Sequence, residues 1–293
     1  MCLIADLNAM IDHYRNQPPP FVLSECIQDQ GKTPLLFPLN PVLGDLLERE
    51  NVILIEGGEA EGKTTQVFRT LFDERFQTST EQRPLILMGS FRRTPTDLLS
   101  RFFFGYQFPF KVTDYKTLLR DVVKRAVDQK IPVYIVADDV QQVVDIYPDG
   151  KVGDAAQRFF GTLMQLSLDY PDQVKIVHIA SRMFSQDLRT FCGRDERFHA
   201  YQWSYDPALI RSTLEQSNNP MIVRHLDELL GMFGSRIQYY IQLMELMNKV
   251  DNEEDYQAAV KKMKDKCRDN IHWAFYALMG TTELRVQLKD TSY

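Results

Sequence analysis

Cysteine is scarce: Cys2, Cys26, Cys192 and Cys267 stand far apart in 293 residues, with no Cys-x-x-Cys spacing. That excludes a disulfide framework and offers zinc no ligand pairs, so the thiols read as reduced ones in an intracellular protein. Long apolar runs are missing too, and none reaches the roughly 18 residues that a membrane span requires. The opening MCLIADLNAMIDHY has no basic n-region and meets acid at Asp6, so it does not read as a secretory leader; cytoplasm and nucleus both stay open. Positive charge is also short. With 34 Lys and Arg against 40 Asp and Glu, the net charge of −6 argues against a nucleic-acid coat while leaving a local basic patch open. No internal repeat is visible and low-complexity stretches are few. What is present is 44% hydrophobic residues spread along the chain, enough for one large α/β domain or a main domain with a smaller helical one.

Residues 15 to 41, RNQPPPFVLSECIQDQGKTPLLFPLNP, are rich in Pro and Gln without a steady period, and residues 1–40 are taken as an extended lead-in. From Pro41 short apolar runs alternate with helical stretches, the pattern of a parallel sheet covered on both faces. The expected strands are NVILIE (51–56), PLILMGS (84–90), PVYIVA (132–137), VKIVHIA (174–180) and FHAYQW (198–203). Thr94-Pro95 reads as a helix start, with Asp97 three residues after the cap. Beyond Trp203 every periodic segment is helical: 207–217, after Asp206-Pro207, then 221–233, 235–249, 253–268 and 270–279. The change of period places a boundary between an α/β domain over 41–204 and a helical domain over 205–293.

Directly after the first strand, Gly57-Gly58-Glu59-Ala60-Glu61-Gly62-Lys63-Thr64 fits G-x-x-x-x-G-K-[ST] at every fixed position, with Thr65 following. Ordinary residue frequencies give such a match in roughly one chain in a hundred of this length. In such a loop glycines let successive backbone N–H groups converge on an anion. The helix N-terminus and the Lys63 ammonium add positive charge, and the Thr64 hydroxyl is placed for Mg²⁺. Glu59 and Glu61 are unusual there, and their side chains are expected to point away from the phosphates.

A phosphate loop needs a metal ligand at a neighbouring strand tip, and IPVYIVADDV supplies Asp138-Asp139. The first acid supports the metal and the second orients or deprotonates an attacking water. Aspartate is shorter than the glutamate often used for the second role, so hydrolysis is expected to be slow. The next strand ends in Ser181-Arg182, which sits beside the terminal phosphate if that strand lies between the other two; otherwise Arg182 is a solvated strand-end residue. His178, inside that strand, reads as a packed core histidine.

With these residues assembled, the chain resembles the AAA+-related signal-transduction ATPases, the STAND group that includes the NB-ARC switches. GGEAEGKTTQ resembles their phosphate loop, VYIVADDVQ their hydrophobic run ending in Asp-Asp-Val, and KIVHIASR their sensor strand. LGMFGSRIQYYIQLM is a weak echo of their Gly-Leu-Pro-Leu helix start, with Ser235-Arg236 where Leu-Pro would be. The resemblance covers about residues 40 to 250. It implies a P-loop α/β fold with a parallel five-stranded sheet of order 2-3-4-1-5, followed by an all-helical lid. It also implies ATP rather than GTP, consistent with the lack of an Asn-Lys-x-Asp motif, and nucleotide-dependent assembly. Carried over, Lys63 and Thr64 bind phosphate and Mg²⁺, Asp138 supports the metal, Asp139 is the candidate base and Arg182 the sensor. The absence of a winged-helix domain or repeat array after residue 293 departs from a complete receptor of that group.

CGRDERFHAYQW resembles the AAA+ stretch whose arginine reaches a neighbouring subunit, which nominates Arg194 or Arg197 as a finger in trans, against plain surface arginines. Arg236 reads equally as a second sensor or a helix-start residue. RFFFGYQFPF is expected to be buried, the alternative being a partner or membrane loop. KKMKDKCR (261–268) is expected to be a solvated helix face. The functional expectation is therefore a Mg²⁺-dependent ATPase switch that meets a protein partner or its own copies in the ATP state. A nucleotide-loaded scaffold with little turnover, a DNA-associated AAA+ ATPase and a small-molecule kinase stand as rivals. Nothing in the sequence points to a membrane.

Overall fold

The structure is a computed structural model that describes residues 4–16, 39–59, 61–71, 83–91, 97–145, 152–181, 183–192, 198–216, 219–247 and 253–278. The chain divides into two compact units, one of Met1–Thr33 with Pro38–Ser204, the other of Pro34–Phe37 with Tyr205–Tyr293.

In the first unit the five apolar runs form β1 (Val52–Glu56), β2 (Leu85–Ser90), β3 (Val133–Asp138), β4 (Val174–Ala180) and β5 (His199–Gln202). They make one parallel sheet in the order β2-β3-β4-β1-β5. β1 and β3 are buried at every position, as expected where both faces are covered and the strand reads as a continuous Val/Ile run. β5 is short and largely exposed, which suits a sheet edge. β4 lies between β1 and β3, with Glu56 level with Ala180 and Asp138 level with Ile179. The strand ends that carry Glu56, Asp138 and Ala180 thus emerge on one side of the sheet.

Helices cover the faces through apolar stripes at helical spacing. One spans Tyr115–Asp128, capped by Asp114 on the N–H groups of Lys116 and Thr117, and it buries Leu118, Leu119, Val122, Val123 and Ala126. A second, Val152–Asp169, contributes Phe159, Phe160 and Leu163 to the same core. The expected extended lead-in differs from the structure at its start: α1 (Ile4–Asn16) is a helix burying Leu7, Met10, Ile11 and Tyr14. Those positions fall at i, i+3, i+4 and i+7, the spacing of one helical face, and each full burial contributes about 1.5–3 kcal/mol. Asn8 Oδ1 accepts from Arg125 and Gln129, and Arg15 Nε donates to the Arg83 carbonyl, fixing α1 on its neighbours.

The aromatic run after β2 also packs inward. Phe102 and Phe103 are buried, and Tyr106 and Phe108 lie against the core beside Tyr14, whereas Phe104 is exposed. The described residues after the expected start at Thr94 form a 3₁₀ helix over Leu98–Phe103 that Asp97 caps through the Leu99 N–H. Thr94 and Pro95 lie outside those residues.

The second unit is helical: Pro207–Glu215, Pro220–Arg224, Leu226–Phe233, Ile237–Met247 and Glu253–Leu278. Asp206 and Asn219 cap the first two, each ahead of a proline whose missing N–H costs nothing at a helix start. The segment expected as one helix over 221–233 breaks at His225, whose ring stacks on Tyr256. The two helices expected over 253–268 and 270–279 are one, since no Gly or Pro interrupts the run. Its lysines 261, 262 and 264 are exposed while Met263 is buried, and Lys264 pairs with Glu228, so the described lysines of KKMKDKCR lie on a solvated face.

Candidate functional site

Gly57 and Gly58 leave β1 into the loop. Backbone crowding explains Gly57, where a Cβ would come within 2.8 Å of the Trp203 carbonyl, whereas one on Gly58 would meet only the movable Glu61 side chain, at 2.7 Å. Gly62 then adopts a left-handed φ of 76°, open to glycine at little cost, and α2 (Lys63–Arg69) begins. Gln66 N–H closes the first helical turn on the Gly62 carbonyl. The described residues thus run from a strand through a glycine turn to a helix N-terminus.

Glu61 does not turn away from the loop as expected. Its Oε2 accepts the Gly58 N–H at 2.8 Å, because a turn that gathers backbone donors attracts the nearest carboxylate. Glu59 is exposed, and Ala60 lies outside the described residues. Lys63 is buried, and its ammonium donates to the carbonyls of Gly57 and Gly58. Desolvation pulls its pKa below the ordinary lysine value, while Glu61, Asp138, Asp139 and Glu59 act in the opposite sense. The two acidic residues of the loop therefore help keep Lys63 charged.

Thr64 opens the helix beside Lys63, and its hydroxyl donates to Asp138 Oδ1 at 2.9 Å. Asp138 is the last residue of β3, and the same oxygen accepts the Asp139 N–H at 3.0 Å. Asp139 has a left-handed φ of 56°, a region that aspartate tolerates better than most residues and that recurs where a site holds a side chain in a set direction. Its Oδ1 accepts the Ser181 hydroxyl at 3.1 Å and the Gln141 amide at 3.3 Å. Gln141 in turn takes the Ser181 N–H on its own carbonyl oxygen. Thus Lys63 and Thr64 from one helix, the Asp pair from β3 and Ser181 from the end of β4 converge. Thr65 follows Thr64 in the first turn of α2. Arg182, Arg194 and Arg197 lie outside the described residues, and Arg236 is in the second unit, just before the helix Ile237–Met247.

The donor set suits a hard divalent cation: a threonine hydroxyl and a carboxylate oxygen at hydrogen-bond distance can turn together toward one ion. Among the described residues no group of three or more His, Cys, Asp and Glu side chains forms a cage. An ion at this point would complete its shell with water and phosphate oxygens.

Three residues of this region were not singled out from sequence. Glu56, only 3% exposed, turns its carboxylate to the N–H groups of Phe184 and Ser185 at 2.8 and 3.0 Å, where α3 (Ser185–Cys192) begins. It ties the root of the phosphate loop to the turn that follows Ser181. An acid closing an otherwise apolar strand was the available signal. Gln141 stood in the quoted VYIVADDVQ, but only its place after the turn at Asp139 shows that it orients the pair. Trp203 ends the last expected strand, and only the position of β5 next to β1 brings it to the loop.

No family model matches the chain, and no curated protein matches it in sequence. Among solved structures it is similar to the ORC2 protein of Aeropyrum pernix in its ADPNP–ADP complexes, with a TM-score of 0.56 and 15% identity over 84% of this chain and 72% of that one. The ADP form of the same protein gives 0.52 and 15% over 76% and 65%. At these identities the likeness is one of fold: the 2-3-4-1-5 parallel sheet with flanking helices and a helical C-terminal region matches the AAA+ fold of the ORC proteins.

Proposed function

We propose that this protein is a Mg²⁺-dependent ATP-binding and ATP-hydrolysing switch of the STAND/AAA+ kind. The observation that carries the reading is the meeting of Lys63 and Thr64, at the mouth of one helix, with Asp138, Asp139 and Ser181 from two adjacent strand ends. The fold it shares with an ORC2 protein solved with ADPNP and ADP supports a nucleotide as the ligand.

In this reading the backbone donors of residues 57–64 bind the phosphates, and Lys63 exchanges its carbonyl partners for β and γ oxygens. Thr64 and Asp138 would hold Mg²⁺, which spreads the charge of the phosphate oxygens. Asp139, aimed by Ser181 and Gln141, accepts a proton from water as the water oxygen bonds to the γ-phosphorus. The bond from that phosphorus to the bridging oxygen breaks, and ADP and phosphate leave. Arg182 meets charge on the γ-phosphate, Arg236 of the helical region 205–293 is the candidate second sensor, and Arg194 or Arg197 serves a neighbouring copy. The ATP form assembles with itself or with a protein partner.

A second reading, a nucleotide-loaded scaffold with little turnover, draws on the short reach of Asp139 and on its Oδ1 being already engaged by Ser181 and Gln141. The test is ATP turnover together with particle mass in ADP and in a non-hydrolysable ATP analogue, for wild type, Lys63→Ala and Asp139→Ala. Turnover lost in both variants, with assembly in the ATP form, supports the switch. Nucleotide retained through Lys63 without turnover supports the scaffold. A wild type that holds no nucleotide contradicts both.

A further inference from the structure

We propose that Trp203 is the positioning residue of the phosphate loop, so that nucleotide affinity depends on its indole N–H. The inference rests on the reading of residues 57–64 as a phosphate loop.

Trp203 follows β5 at the sheet edge, yet it is 1% exposed. Its backbone N–H continues the parallel ladder by donating to the Glu56 carbonyl at 2.7 Å. From there its carbonyl oxygen and Cβ lie so close over Gly57 that a methyl group at that position would meet them at 2.8 and 3.2 Å. The indole Nε1–H reaches the other arm of the loop and donates to the Glu61 carbonyl at 3.1 Å. One residue therefore braces the loop where it leaves the strand and again just before it enters the helix. Tyr201, edge-on at 6.2 Å between ring centroids, backs the indole, and its hydroxyl accepts from Asn40.

The consequence is specific to the indole. The turn at Glu61 sets the direction of the backbone donors that follow it, and the Glu61 carbonyl is anchored by a side-chain donor. Phenylalanine fills most of the same space and lacks that donor. The loop then loses its fixed shape while the core beneath it stays packed.

The test combines calorimetric titration of MgATP into wild type and Trp203→Phe with emission spectroscopy, since the chain has only one other tryptophan, Trp273. Thermal melts without nucleotide check that the variant is folded. The expected result is an affinity about 10-fold weaker in Trp203→Phe, the weight of one buried hydrogen bond. The wild-type emission, with that of Trp203→Phe subtracted, should shift as nucleotide binds and saturate with the heat. If Trp203→Phe does not fold, Trp273→Phe isolates the Trp203 emission, and its shift on saturation decides. Equal affinity in a folded Trp203→Phe, or an emission unmoved at saturation, overturns the assignment alone. A wild type that takes up no MgATP overturns the loop reading and this assignment together.

Discussion

The Thr64 hydroxyl and Asp138 Oδ1, on different elements of the first unit, lie 2.9 Å apart in a hydrogen bond. It joins the start of the loop helix to the end of β3, and the Mg²⁺ reading requires both groups to turn to one ion. Thr64→Val and Asp138→Asn should each weaken Mg²⁺-dependent nucleotide binding by about 10- to 100-fold. Because the two act as a unit, the double variant should lose less than the summed effect, a coupling of about 1 kcal/mol in a double-mutant cycle read by calorimetry. Strict additivity would separate them.

Asp139 should divide turnover from binding. Asn keeps the tolerance for a φ of 56° and an acceptor for Ser181, so Asp139→Asn should fold and bind MgATP like the wild type. Its steady-state hydrolysis should fall about 100-fold or more if Asp139 takes the proton from water. Unchanged hydrolysis would remove Asp139 from the chemistry.

Much of this arrangement was legible in the sequence. Continuous apolar runs such as VILI and VYIVA announced buried parallel strands, and the glycine-lysine-threonine spacing located the loop on its own. The pairing of Glu56 with residues 184 and 185 was not legible, because a strand pattern does not say which loop will fall beside its end. Trp203 was hidden for the same reason, since its role exists only once β5 lies next to β1. The helix over Ile4–Asn16 was missed where a Pro-rich stretch followed directly and a weak stripe of Leu7, Met10, Ile11 and Tyr14 was the only signal. Its stability comes from tertiary burial more than from its own period.

Glu56 should prove structural and functional at once. Glu56→Ala leaves the N–H groups of Phe184 and Ser185 without their carboxylate, at a cost of about 1–3 kcal/mol in denaturant unfolding. Glu56→Gln keeps one acceptor and should lose less. If the turn also positions Ser181, turnover should fall in Glu56→Gln by more than its loss of stability accounts for. A folded Glu56→Gln with wild-type turnover would confine the residue to capping.

His178 gives the fold an acid limit. It is fully buried against Phe160, and among the described residues neither ring nitrogen has a hydrogen-bond partner. Burial lowers its pKa from 6.5 to about 3, so the folded protein keeps it neutral while the unfolded chain protonates it. The unfolded state binds the extra proton between those two values, and stability present above pH 6.5 is lost as the pH falls toward 3. The slope from this one group should be about 1 kcal/mol per pH unit between 6.5 and about 3. Urea unfolding at stepped pH should show it, and His178→Leu should flatten it.

The most direct test of the account is a calorimetric titration of MgATP into the wild type beside Lys63→Ala. The account predicts saturable binding to the wild type and an affinity lower by on the order of 100-fold in the variant, where the loop has lost its buried cation. Equal binding by the two chains, or none by the wild type, would contradict it.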